Sequence, residues 1–545
     1  MPSPSSASMS SHYNSMQVFG TQISHKLATV SNYGKPSVDI ILNNSHGTHG
    51  EYVTSYSTMD TIEGTVSIKA DKDTRFEELE ISFIGHSTAF VDRLTATPSV
   101  TGRTEATHRF LTLKQPIDEA DLPCPRKLIA GKTYEFPFAF TVPQHLLPRA
   151  CEHQVSNDHV RASHLMLPPS MGDPDLAGFG GSLLDDLAPD MARVTYSVKA
   201  RLTHLREADN TISTLVSKMK KVRVKPVYEE QPPLNIHSSD SQYRLREEKK
   251  IKKGLFKGKL GTLVAECAQP RALVIPGART VCEKPISTVA KLHLRFDPAD
   301  EDATAAPPRL GSVTSKLKVQ TYYASAPRRT FPSRDTIGFD LTQGVYVANV
   351  PLSTLCIGSA QWKKQSPSAN PPSPANALDR RDSDDSGISD CSALSSTSSH
   401  NKVSDIPQPS KSYRGGSFYT ATIIVPLTCP DNKNLLPTFH GCIISRVYAL
   451  SLHISASNAS ALHLKVPIQV AAEGSDTGNA NAMARSVEDA SARDVDHMFV
   501  PRRVAPPSMQ TTRTNSVATT DVGEDLPPQY GEFASGFGAR AMVVA

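Results

Sequence analysis

Few residues in this chain of 545 have the types and spacing that chemistry requires. His46 and His49 stand three apart in HGTHG, a spacing two metal ligands could share. No third ligand accompanies them, and the segment reads as a polar turn. Cys151 and His153 lie close together, but alternate positions on a loop make no nucleophile and base without a third, orienting group. AGFGG at 177–181 precedes a Leu-Leu-Asp-Asp turn rather than following a strand, which argues against a phosphate cradle. No GxSxG elbow, Walker loop, GxGxxG or HExxH occurs. The 8 cysteines include no CxxC pair and fit reduced thiols better than a disulfide framework or a zinc site. The expectation is a chain with no catalytic residues, no cofactor and no metal. An enzyme or ligand-binding protein using a groove assembled in space is the weaker alternative.

One motif has a definite mechanism. Leu526, Pro527, Pro528 and Tyr530 form LPPQY, a complete PPxY. The two prolines hold a polyproline II backbone before binding, so little ordering entropy remains to be lost. Their rings can lie on an aromatic groove while the tyrosine ring enters a neighbouring pocket, as WW domains read such peptides. With 41 prolines and 15 tyrosines, chance supplies about 0.09 such matches in the whole chain, so composition does not account for it. KPVY, ending at Tyr228, has one proline and reads as the end of a strand.

Charge is concentrated rather than general. The formal net charge is +4, too small for a nucleic-acid binder of this length. Residues 246–259 hold seven basic and two acidic residues, a net +5, which leaves −1 for everything else. Lys249, Lys250, Lys252, Lys253, Lys257 and Lys259 could meet an anionic lipid surface, with Leu255 and Phe256 among them. A solvated linker explains the segment equally well. In the Ser- and Pro-rich stretches, Arg380 and Arg381 precede Ser383, Ser366 and Ser373 are each followed by proline, and Arg513 precedes Ser516. These four serines are candidate phosphorylation sites, where added charge could change docking, including to phosphoserine-binding adaptors.

Period-two alternation positions whatever these residues do. Tyr134, Phe136, Phe138, Phe140 and Val142 share one strand face, and Pro137 opposite predicts an edge strand or bulge. Val194, Tyr196, Val198, Ala200 and Leu202 share another. Leu292, Leu294 and Phe296 align, as do Leu317, Val319 and Tyr323. Ile444, Tyr448, Leu450, Leu452 and Ile454 align with Arg446 interrupting, and Leu462, Leu464, Val466, Ile468 and Val470 follow. No comparably long segment has helical periodicity. Many short one-sided strands between Pro, Gly and Asn turns predict an all-β chain of two tandem immunoglobulin-like antiparallel β-sandwiches. The expected organisation is a weakly ordered 1–35, a sandwich at 36–228, a basic linker at 229–261, and a second sandwich at 262–473. A disordered insertion at 364–414 and a disordered tail at 474–545 complete it. Hydrophobic residues are only 38% of the chain, as such dilution requires. No run of 18 apolar residues marks a transmembrane helix, and the N-terminus lacks the basic start and apolar stretch of a secretory signal. A cytoplasmic chain is expected.

The order of these segments resembles the alpha-arrestins, particularly the fungal arrestin-related trafficking adaptors. GKTYEFPFAFTVP at 131–143 is similar to the strand that marks arrestin N-domains, and HLMLPPSMGD at 164–173 to the Leu-Pro-Pro-Ser segment of fungal members. PTFHGCIISRVYALSLHI at 437–454 and LHLKVPIQV at 462–470 resemble the closing strands of the C-domain. The resemblance implies a non-catalytic adaptor in which Pro527, Pro528 and Tyr530 recruit a WW-domain HECT ubiquitin ligase. The body would bind cytosolic tails of membrane transporters or receptors, with peripheral recruitment to the plasma membrane and endosomes. An arrestin-like signalling scaffold for ambient-pH or nutrient sensing is the alternative within the family.

Overall fold

The computed structural model describes residues 35–43, 55–93, 102–173, 176, 185–206, 210–237, 240–253, 258–277, 285–299, 306–366 and 406–498. The first half supplies β1 (Ser37–Leu42), β2 (Ser55–Tyr56), β3 (Thr61–Lys69), β4 (Thr74–Arg75) and β5 (Glu78–Arg93). It continues with β6 (Gly102–Lys114), β7 (Lys127–Leu128), β8 (Thr133–Thr141), β9 (Ala192–Arg206) and β10 (Thr211–Val224). One sheet has the order β1-β3-β8 and the other β2-β10-β9-β5-β6, with β4 and β7 as a separate pair. Pro137 sits on β8, at the edge of its sheet, so its missing donor costs no ladder hydrogen bond. Phe136, Phe138 and Phe140 point inward as the alternation requires. Across the ladder Gly64 faces Phe138, and a methyl group on Gly64 would stand 2.6 Å from that ring. The two sheets meet where Phe83 packs 6.0 Å from Phe140 and stacks 5.9 Å from Tyr196.

The second half supplies β11 (Arg246–Lys252), β12 (Lys259–Cys267), β13 (Leu273–Ile275), β14 (Ser287–Pro298), β15 (Leu310–Ala324) and β16 (Gln343–Cys356). It ends with β17 (Lys363–Gln365), β18 (Phe418–Thr428), β19 (Phe439–His440), β20 (Ile444–Ala456), β21 (Leu462–Ile468) and β22 (Val470–Ala472). Its sheets run β11-β12-β14-β18-β17 and β16-β15-β20-β19, with β21 also on β20. Among the described strands pairing is antiparallel except for two short parallel pairs, β2 with β10 and β13 with β22. Both halves belong to one compact unit, Met1–Ser486, and their buried apolar residues form a contiguous core.

Three expectations are corrected. Residues 246–252, read as part of a linker, are the edge strand β11, which puts only Ile251 into the core. Its run of charges is what an exposed sheet edge uses against unwanted pairing. The insertion at 364–414 is ordered at both ends. Lys364 and Gln365 pair with β18, and residues 406–413 lie over β14. The tail begins as a helix, Asp476–Met498, where disorder was expected. Its alanines favour helix without a wide apolar stripe, which is why no periodicity showed.

Candidate functional site at the junction of the sandwiches

Among the described residues, several that join the two halves carry buried polar, charged or metal-ligating side chains. Arg446 on β20, read above as an interruption of an apolar face, is 0% exposed. Its guanidinium donates to the backbone oxygens of Asp186 at 3.0 Å and Leu187 at 3.3 Å, and lies 3.3 Å from the Met171 sulfur. Those acceptors belong to the first half. They are aimed by a tight turn in which Leu187 adopts a φ of +58°, with its N–H donating 2.8 Å to the Asp185 carboxylate. Asp186 accepts from Gly172 and Ala188 at 2.7 and 3.0 Å, so the LPPSMGD segment and this turn form one platform. Gly172 is required there, because its φ is +65° and a Cβ would come within 2.8 Å of the Ala192 oxygen. From the second half Lys433 reaches Asp185 at 2.8 Å and holds its carboxyl below the usual range.

A second tie involves Asp60, which is 2% exposed. One carboxylate oxygen accepts from Ser57 N–H at 2.7 Å. The other accepts from the Ser475 and Thr477 hydroxyls, each at 2.6 Å. Ser475 also caps the tail helix by accepting from Gly478 N–H at 3.0 Å. The tail therefore leaves the body from the first half, close beside β3. Tyr228 of KPVY is buried, donates 2.9 Å to the Leu167 oxygen and pairs with Ala472, which is the strand-end role expected of it.

The third tie is a cluster of four soft donors. Cys151 ends a 3-10 turn, Pro148–Cys151, and His164 ends a short helix, Asp158–His164, capped by the Asn157 side chain on Val160 N–H at 2.9 Å. Cys442 arrives from the turn between β19 and β20. The donor atoms of Cys151, His153, His164 and Cys442 lie within 4.8 Å of one another. The Cys151 sulfur is 3.6 Å from His164 Nδ1 and 3.8 Å from His153 Nδ1. His153 Nε2 meets the Arg328 backbone oxygen at 2.9 Å, and Arg328 N–H donates 2.8 Å to the Cys442 oxygen. Burial pushes the His164 imidazole down to about 4 and the Cys442 thiol up. In the sequence Cys151 and His153 stand as a pair without a third group. The structure brings two more to them, one from the other half of the chain. The spacing Cys-x-His with a histidine shortly after was the available signal, but Cys442 had none.

The other sequence-derived residues fall as follows. Leu526, Pro527, Pro528, Tyr530, Ser373, Ser383, Ser516, Lys257, His46, His49 and the AGFGG glycines lie outside the described residues. Ser366 is exposed just after β17. Lys250, Lys252 and Lys253 are exposed, whereas Lys249 pairs with Glu247 at 3.1 Å and Lys259 donates 2.9 Å to Ser412. The basic surface is thus narrower than the six lysines expected, because this chain's own residues engage part of it. Among the described residues no helix is long and apolar enough to cross a membrane.

Among the described residues the chain is built of antiparallel sheets with few helices, an all-β architecture consistent with an arrestin fold. Residues 48–224 match the family described as arrestin (or S-antigen), N-terminal domain. A domain of that kind suggests, in general, an adaptor or scaffold. Comparison with the curated proteins returns no match.

Proposed function

We propose that this chain is a non-catalytic adaptor that brings a WW-domain HECT ubiquitin ligase to cytosolic tails of membrane transporters or receptors, promoting their ubiquitination and endocytosis. The observation that carries the reading is a PPxY at Pro527, Pro528 and Tyr530 in the same chain as an arrestin-like N-terminal domain. The body binds cargo while the tail holds the ligase. Cargo lysines then meet the ligase at a high effective concentration without catalysis by this chain. Exposed Lys250, Lys252 and Lys253 support peripheral contact with an anionic membrane, and charge added at Ser366, Ser373, Ser383 or Ser516 would tune docking.

The test is capture by isolated WW domains, wild type against Tyr530→Ala, followed by cargo internalisation in cells carrying either form. Capture should be lost with Tyr530→Ala, and internalisation delayed. Undiminished capture would remove the motif from the mechanism, and undelayed internalisation of every cargo would remove the adaptor role.

A further inference from the structure

We propose that Cys151, His153, His164 and Cys442 bind a zinc ion that fastens the two sandwiches together. Two sulfurs and two imidazole nitrogens are the donor set of structural zinc sites. Zn–S bonds of about 2.3 Å and Zn–N bonds of about 2.0–2.1 Å place the ligand atoms of a tetrahedron about 3.3–3.8 Å apart. The separations of 3.6 and 3.8 Å from the Cys151 sulfur already fall in that range. The remaining pairs, all within 4.8 Å, need only small side-chain adjustments to reach it.

The surroundings fit as well. A ligating histidine commonly donates its other ring N–H to a backbone oxygen, which fixes the tautomer and aims the free lone pair. His153 can adopt that arrangement, since Nε2–H donated to the Arg328 oxygen at 2.9 Å leaves Nδ1 as the free donor. The Cys151 sulfur now stands 3.8 Å from both ring nitrogens, so a small turn of the ring aims Nδ1 at the ion. Cys151, His164 and Cys442 are buried, and His153 is half-buried. Two thiolates and two neutral imidazoles would cancel the charge of the ion, so a bound site carries no net charge into the core. Three ligands come from one short stretch of the first half and the fourth from the β19–β20 turn of the second. The ion would therefore close the seam at a point distinct from the Arg446 and Asp60 ties.

The full chain, purified under reducing conditions without chelator or added metal, should carry about one zinc by elemental analysis. Cys442→Ser should lose it, and Cys429→Ser, a buried cysteine outside the cluster, should keep it. Zinc-stripped wild type titrated with cobalt(II) should develop the sulfur-to-metal charge-transfer and visible bands of a tetrahedral two-sulfur site, a readout that needs no variant to fold. Chelator should lower the melting temperature of wild type and leave that of Cys442→Ser unchanged. Reduced wild type that holds no zinc and gives no cobalt bands overturns the proposal. A Cys151–Cys442 disulfide in protein from a reducing cytosol overturns it in favour of a covalent staple. Zinc retained by Cys442→Ser overturns the claim that the ion joins the two halves.

Discussion

Asp297→Ala tests how firmly the end of the long insertion is held to the sheet. Arg295 and Asp297 project from the outer face of β14 and form an ion pair at 2.7 Å, with Arg295 only 4% exposed. The guanidinium also donates 3.2 Å to the Pro407 oxygen and lies 3.8 Å over the Phe418 ring and 4.7 Å over Tyr413. The second carboxylate oxygen accepts from Ser410 N–H at 2.7 Å. Removing the carboxylate strands a buried cation, which costs about 3–5 kcal/mol. It also leaves the Ser410 N–H without its acceptor, about 1–3 kcal/mol more. The two rings and the Pro407 oxygen still hold the guanidinium and offset part of this, so a net loss of about 3–5 kcal/mol is expected. With a urea slope of about 3 kcal/mol/M, the unfolding midpoint should fall by about 1 M or more. Hydrogen exchange should accelerate at Ser410 and along 406–413. The paired replacement Arg295→Met with Asp297→Leu, which leaves no unpaired charge, should recover most of the loss. A midpoint shift worth less than about 1 kcal/mol, or unchanged exchange at Ser410, would refute the reasoning.

Three further outcomes are expected. In the native chain Cys124 and Cys356 are exposed and should react with a thiol reagent, while burial pushes the Cys267 thiol up to about 12 and Cys429 up to about 11. The folded thiols keep their protons where unfolded ones lose them, so this contribution to stability is intact below pH about 8.5 and falls as pH rises towards about 12. Labelling of Cys267 as fast as Cys356 would contradict it. Gly64→Ala drives a methyl group against the Ile41 backbone oxygen of β1 and the Phe138 ring of β8 and should cost about 1–3 kcal/mol, read as a lower melting temperature; an unchanged melt would show that both neighbouring strands give way freely. Replacing Lys250, Lys252 and Lys253 with Gln should weaken binding to anionic vesicles, most visibly at low salt, and replacing Lys249 should matter less because Glu247 already pairs it. Equal binding by the triple variant would leave β11 as an edge strand and nothing more.

How far the sequence revealed the molecule depended on whether a residue's partner was local. Alternation in TYEFPFAFTV and RVTYSVKARL identified β8 and β9 and their buried faces, since period two is written into consecutive residues. It failed for β11, where a single isoleucine reaches the core and charge guards the edge. On β14 it identified the face of Leu292, Leu294 and Phe296, but the opposite face of His293, Arg295 and Asp297 is buried as well, which alternation does not show. The covering segment comes from the far end of a Ser- and Pro-rich stretch. Arg446 looked like a flaw in an apolar strand because its acceptors are backbone oxygens, which leave no mark on composition. Of the cysteine–histidine cluster, three members were near neighbours and one was not, so only a pair was recognised.

The Asp60 tie also sets an order of events at birth. Its hydroxyl donors lie 415 and 417 residues further along the chain. At about 5–20 residues per second of synthesis, that separation leaves the carboxylate without them for roughly 20–80 s. Over that interval the first sandwich emerges with its aspartate hydrated and its seam to the second half open. It becomes the native first half only when Ser475 and Thr477 have been made. An arrest of translation before residue 475 therefore yields a body that has most of its strands and lacks the closure that completes it.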